Sequence, residues 1–176
     1  EMCIRDSLIS SCIAIREPKE KPETQHWELS KFSLSNQSNA AAASADAAAA
    51  LDWIERQNLD YSQCWVSGFS FGSLICMQLI MRRPEINNFV AVSPQPNVYD
   101  FSFLAPCPTS GQVIYSENDE LVTKESINEL DNRIKSQKGV EVIFSKVKNS
   151  NHFFKNKEKE LSLEIKKYLK EKTALI

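Results

Sequence analysis

The chain has 176 residues, enough for one domain with a real core. Its balance of 42% hydrophobic and 25% charged residues is that of a globular protein, not a disordered or fibrous one. A formal net charge of −2 offers no basic footprint for nucleic acid, and no apolar run is long enough to span a bilayer as a helix. The five cysteines are scattered, odd in number and without a Cys-x-x-Cys pair, which points to a reducing, cytoplasmic compartment and away from structural zinc.

Residues 1–39 are the least patterned part. Leu8 to Ile15 has the composition of a short strand. Arg16 to Ser38 is polar and carries no sustained period, so it reads as loop or disorder. A signal peptide fits poorly, because no basic segment precedes Leu8–Ile15 and two serines interrupt it. The opening Glu-Met-Cys-Ile-Arg-Asp-Ser has the look of a translated adaptor. The expectation is therefore a poorly ordered leader over 1–39, with the start of the natural coding sequence lost or scrambled, followed by one domain over 40–176.

Ala40 to Gln57 is dominated by alanine, the residue of highest helix propensity, and Leu51, Trp53 and Ile54 supply bulk to anchor it. Asn39 or Ser38 is placed to cap it. Asn58 to Gln63 reads as a loop. Cys64 to Ser67 is a short apolar strand. It runs into Gly68-Phe69-Ser70-Phe71-Gly72, and Phe71 to Arg83 follows as a helix that is apolar on nearly every side, as helices in the middle of a protein are. Pro84 stops it.

Asn88 to Ser93 is a second strand, apolar without alternation, as in a parallel sheet covered on both faces. A proline-rich loop over 94–111 holds Tyr99, Phe101, Phe103 and Leu104. Gln112 to Ser116 is a third strand and Glu117-Asn118-Asp119-Glu120 an acidic turn. Thr123 is placed to cap the next helix, although Ser126 stands where a full capping box has Glu or Gln. Ile127, Leu130 and Ile134 form that helix's apolar stripe. Val140 to Val147 is a fourth strand, and a polar turn leads to His152-Phe153-Phe154. Lys155 to Lys172 closes the chain as an amphipathic helix whose alternating lysines and glutamates form a solvated face. Strands alternating with helices predict an α/β fold with a mostly parallel sheet, its functional groups at the carboxyl ends of the strands.

Gly-x-Ser-x-Gly between a strand and a helix is the layout of a nucleophile elbow. So sharp a turn brings its neighbours against strand and helix, which gives Gly68 and Gly72 a reason to lack a side chain. It also sets the Phe71 N–H at a helix N-terminus, where developing negative charge is stabilised. Serine needs a base at neutral pH. Of the two histidines, His26 lies in the unpatterned leader, whereas His152 follows the fourth strand at the same sheet end as Ser70. A base histidine needs an acid to fix its tautomer. Asp119, after the third strand, is preferred because the apolar pair Leu121-Val122 would anchor its turn; Glu117, Glu120 and Asp100 are the alternatives. The order Ser70, Asp119, His152 is that of α/β-hydrolases. One well-placed histidine and no ligand pair at helical spacing disfavour a metal site, and no cofactor is expected.

From about Ala45 to the C-terminus the sequence resembles the small bacterial single-domain α/β-hydrolases that lack a large lid. The resemblance rests on Asp46–Ile54, Ser67–Gly72, Met77–Ile86, Tyr99–Pro108 and Asn151–Phe154. It implies a three-layer α/β-hydrolase fold, incomplete at the N-terminal side. It implies a Ser-Asp-His triad at Ser70, Asp119 and His152, and esterase-like hydrolysis of a small ester or amide through an acyl-enzyme. Phe71 N–H would give half of the oxyanion hole, and Phe69, Tyr99, Phe101, Phe103, Leu104 and Phe153 would wall an apolar substrate pocket, with ordinary core filling as the other reading of those side chains. The loop that supplies the family's second oxyanion donor has no counterpart in this chain, and the approach to the acid, Ser116-Glu117-Asn118-Asp119, differs from the family's. A peptidase or acyltransferase on the same triad, and an inactive fragment or interaction protein on the same scaffold, are the rival readings.

Overall fold

A computed structural model describes residues 11–18, 28–33, 40–56 and 61–173. It contains six strands, β1 (Ser11–Pro18), β2 (Glu28–Ser33), β3 (Tyr61–Phe69), β4 (Ile86–Val92), β5 (Ser110–Ser116) and β6 (Val142–Val147). They form one sheet in the order β2-β1-β3-β4-β5-β6. Strands β3 to β6 run parallel, whereas β1 is antiparallel to both β2 and β3. The helices are α1 (Ala40–Arg56), α2 (Phe71–Ile80), α3 (Lys124–Lys135) and α4 (Glu158–Thr173).

Strands β3 to β5 are buried on both faces, and the two-residue period of each divides its side chains between two cores. Cys64 and Val66 of β3, Phe89 and Ala91 of β4 and Val113 of β5 join one cluster with α1, α2 and residues of α3. Trp65, Val90, Val92 and Ile114, the intervening residues, join a second cluster with Leu161 and Tyr168 of α4. This is why the strands read as unbroken apolar runs. Helix α2 buries every residue except Gln78 and packs against β3, β4 and α1. Its position directly behind β3 and β4 makes the turn between β3 and α2 a rigid part of the molecule.

Several features differ from the sequence reading: Tyr61–Gln63, read as the end of a loop, open β3, β6 starts at Val142 and not Val140, and α4 starts at Glu158 and not Lys155. Within the stretch taken as a poorly ordered leader, residues 11–18 and 28–33 are strands. The first overlaps the strand expected over Leu8–Ile15, and the second lies in a segment read as loop. β2 exists through its pairing with β1, Ser11 opposite Ser33 to Arg16 opposite Glu28, a long-range contact that leaves no local signal. His26 and the proposed caps Ser38 and Asn39 lie outside the described residues. Helix α2 ends at Ile80, not Arg83. The N–H groups of Arg82 and Arg83 both reach back to the Leu79 carbonyl, so the chain leaves the helix before Pro84. Thr123 caps α3 as expected: its hydroxyl accepts the Ser126 N–H at 3.3 Å, and the Ser126 hydroxyl donates to the Thr123 carbonyl at 2.8 Å.

Candidate active site

Strands β3, β5 and β6 end at the same edge of the sheet, and each is followed by one residue of the site. Ser70 sits between β3 and α2 with φ 53° and ψ −116°, a conformation that costs an L-residue about 1–3 kcal/mol. Its surroundings hold it there. The Ser70 N–H donates to the Val92 carbonyl at 2.8 Å, and the Ser73 hydroxyl reaches the carbonyls of Gly68 (3.0 Å) and Val92 (2.8 Å). A Cβ on Gly68 would lie 2.0 Å from the Gly72 carbonyl oxygen, which is the close approach expected of this turn.

His152 follows β6. Its Nε2 is 3.0 Å from the Ser70 hydroxyl oxygen, and its Nδ1 is 3.0 Å from each carboxylate oxygen of Asp119. The histidine side chain is fully buried and that of Asp119 nearly so, while Ser70 is half-buried. Asp119 follows β5 and is held by three further donors. The Ser116 hydroxyl binds Oδ2 at 2.9 Å, and the Leu121 and Val122 N–H groups bind Oδ1 at 2.9 and 3.0 Å. Burial opposes the negative charge on Asp119. Hydrogen bonds from His152, Leu121 and Ser116 outweigh that effect and hold its carboxyl below the usual range. The pair Leu121-Val122 therefore does anchor the turn, through its main chain as well as through buried Val122.

The other acids considered from sequence go elsewhere. Asp100 is exposed and accepts the N–H and hydroxyl of Ser102. Glu117 accepts the Asn149 N–H and pairs with Lys146, contacts that keep its carboxyl below the usual range. Glu120 accepts the main-chain N–H of His152 at 2.9 Å and makes no bond to the ring. Among the acids of the described residues, only Asp119 is hydrogen-bonded to the imidazole.

The aromatic residues divide. The rings of Phe69 and Phe153 lie 5.4 and 5.1 Å from the imidazole, and Phe153 is exposed. Tyr99 and Phe103 are partly buried, Tyr99 against Phe71 and Phe103 stacked on Phe101. Phe101 and Leu104 are 2% and 0% exposed and belong to the main core. These two fill the space between the loop and the sheet, so the pocket expected from them is, at these positions, core. Phe71 opens α2, and the first N–H groups of a helix have no partner within it. Among the described residues no group of three His, Cys, Asp or Glu side chains is arranged to hold a metal ion, and no helix is long and apolar enough to cross a membrane.

A hydroxyl, an imidazole and a buried carboxylate in line at 3.0 Å form a proton-relay geometry. The imidazole can take the hydroxyl proton, and the carboxylate holds the tautomer that leaves Nε2 free to do so. What the sequence left open was the environment of the histidine main chain: Glu120 on one side, and on the other the Ser93 hydroxyl, which donates to the His152 carbonyl at 3.1 Å.

Residues 15–175 match the model of the dienelactone hydrolase family. The uncharacterized protein RP471 of Rickettsia prowazekii (strain Madrid E) is 44% identical over 128 residues, which are 70% of this chain and 54% of that protein. Among solved structures, ATU1826 from Agrobacterium tumefaciens, a protein of unknown function grouped with the alpha/beta hydrolases, is 46% identical. It superposes with a TM-score of 0.74 over 76% of this chain and 62% of its own. XC6422 from Xanthomonas campestris, a serine hydrolase without a lid, shares the fold at 20% identity. Its TM-score is 0.60 over 69% of this chain and 53% of its own. The chain thus spans about half the length of the curated relative it matches.

Proposed function

This chain belongs to the dienelactone hydrolase family, and from that premise we propose that it is an esterase-like serine hydrolase acting on a small ester or amide. The observation that carries the reading is the distance of 3.0 Å from His152 Nε2 to the Ser70 hydroxyl, with Asp119 on the far side of the ring. In this reading the Ser70 oxygen attacks the substrate carbonyl carbon while His152 Nε2 takes the hydroxyl proton. The tetrahedral oxyanion is stabilised by the Phe71 N–H. As the carbon–heteroatom bond breaks, His152 returns the proton to the leaving alcohol or amine, and Ser70 is left acylated. Water then repeats the sequence and releases the acid. Asp119 stays ionised throughout and supports the imidazolium.

The chain's neutral-to-acidic charge and the exposed Phe153 beside the imidazole favour a small substrate with an apolar portion. The test is covalent labelling by a fluorophosphonate probe, followed by peptide mapping. The label is expected on Ser70 and is expected to vanish in Ser70→Ala. Undiminished labelling of that variant would move the nucleophile elsewhere and end the proposal.

A further inference from the structure

Two consecutive acids reach the same histidine. Asp119 holds the ring of His152, and Glu120 accepts the His152 main-chain N–H at 2.9 Å. The first bond fixes the rotation of the side chain. The second fixes the Cα from which that side chain hangs. On the opposite side of the peptide, the buried Ser93 donates its hydroxyl to the His152 carbonyl at 3.1 Å. Ser93 itself has φ 47°.

The loop that carries His152 is otherwise ill suited to hold one shape. Asn149, Phe154 and Asn156 have φ of 52°, 52° and 63°. Asparagine adopts this left-handed region at modest cost, but for phenylalanine the cost is about 1–2 kcal/mol. Backbone of this kind persists only where its surroundings over-determine it. Part of the restraint is the buried Phe154 ring, and part is the pairing of the loop with the acidic turn through the Asn118 N–H to the Ser150 carbonyl and the Asn149 N–H to Glu117. Neither acts on residue 152 itself.

We infer that Glu120 is a positioning residue: its carboxylate holds the main chain of His152 so that Nε2 stays within hydrogen-bond reach of Ser70. This inference rests on the hydrolase reading above. Glu120 is exposed and carries little of the core, so its replacement leaves the fold intact.

The experiment compares Glu120→Ala with Glu120→Gln, whose amide oxygen still accepts the His152 N–H. In ester hydrolysis, Glu120→Ala is expected to lower kcat on the order of tenfold with KM unchanged, because a displaced base harms chemistry and not binding. Glu120→Gln is expected to stay within about twofold of the unmodified protein, since the acceptor is kept. The His152 amide proton, followed by NMR, is expected to move upfield in the alanine variant and to keep its place in the glutamine variant. An unchanged kcat in Glu120→Ala, or a glutamine variant as impaired as the alanine one, would overturn the inference. A protein whose Ser70→Ala variant still labels would sink the hydrolase reading instead. The amide shift would then decide the positioning claim on its own, and an unmoved resonance in Glu120→Ala would refute it.

Discussion

Both carboxylate oxygens of Asp119 lie 3.0 Å from Nδ1 of His152, so the carboxylate faces the ring symmetrically. An acid in this position can keep a proton on Nδ1, leave Nε2 free and support the ring when it becomes charged. Asp119→Asn preserves the shape and removes the charge. The amide also turns a donor toward a ring nitrogen that needs an acceptor. In p-nitrophenyl ester turnover this substitution is expected to reduce kcat by about 10⁴-fold with little change in KM. A loss below tenfold would assign the acid to another residue.

The same carboxylate links the site to stability at low pH. Its folded-state pKa is lowered, because the donors around it outweigh its burial. A depressed acid contributes stability that is complete above its unfolded value of about 3.9 and is lost as pH falls through the folded value. Urea midpoints should therefore fall below about pH 4 more steeply for the unmodified protein than for Asp119→Asn. The gap between the two should narrow as acid is added. Parallel curves through that window would show that Asp119 is not responsible.

Gly68 and Gly111 are both closed to a side chain, for different reasons. A Cβ at 68 meets backbone, the Gly72 carbonyl at 2.0 Å, whereas a Cβ at 111 meets the Phe89 ring at 2.3 Å. Each alanine substitution should destabilise by about 3 kcal/mol or more in urea unfolding. Shrinking Phe89 to leucine should recover part of the loss for Gly111→Ala, because a side chain can be traded. No neighbouring substitution should recover Gly68→Ala. A double-mutant cycle that is strictly additive at 89 and 111 would contradict this contact.

Tyr168 ties α4 to the sheet. Its hydroxyl donates to Asn88 Oδ1 at 3.1 Å, its ring packs edge-on against Trp65, and burial pushes its phenol pKa upward. Tyr168→Phe keeps the packing and leaves Asn88 without that donor. The expected cost is about 1 kcal/mol of stability with unchanged ester turnover. A change in kcat would mean that α4 communicates with the site.

Much of this arrangement is legible in the sequence because its signals are local. The glycines of 68–72 mark the turn, the apolar runs of β3 to β5 mark strands covered on both faces, and Thr123 marks the start of α3. Asp119, chosen from sequence over Glu117, Glu120 and Asp100, is the acid that meets the imidazole. What stayed hidden depends on partners distant in the chain. β2 is a strand only through β1. Phe101 and Leu104 look like pocket residues until the fold lays their loop over the core. The contacts of Glu120 and Ser93 with the main chain of residue 152 carry no side-chain pattern at all.

Ser70 and His152 are 82 positions apart, and the sheet must close from β3 across to β6 before they meet. In the proposed mechanism, nucleophilicity at residue 70 is therefore a property of the finished assembly and of no fragment cut between them. During renaturation the probe would act as a clock for the last strand to dock: covalent modification should lag behind the recovery of helical ellipticity and coincide with protection of the β6 amides.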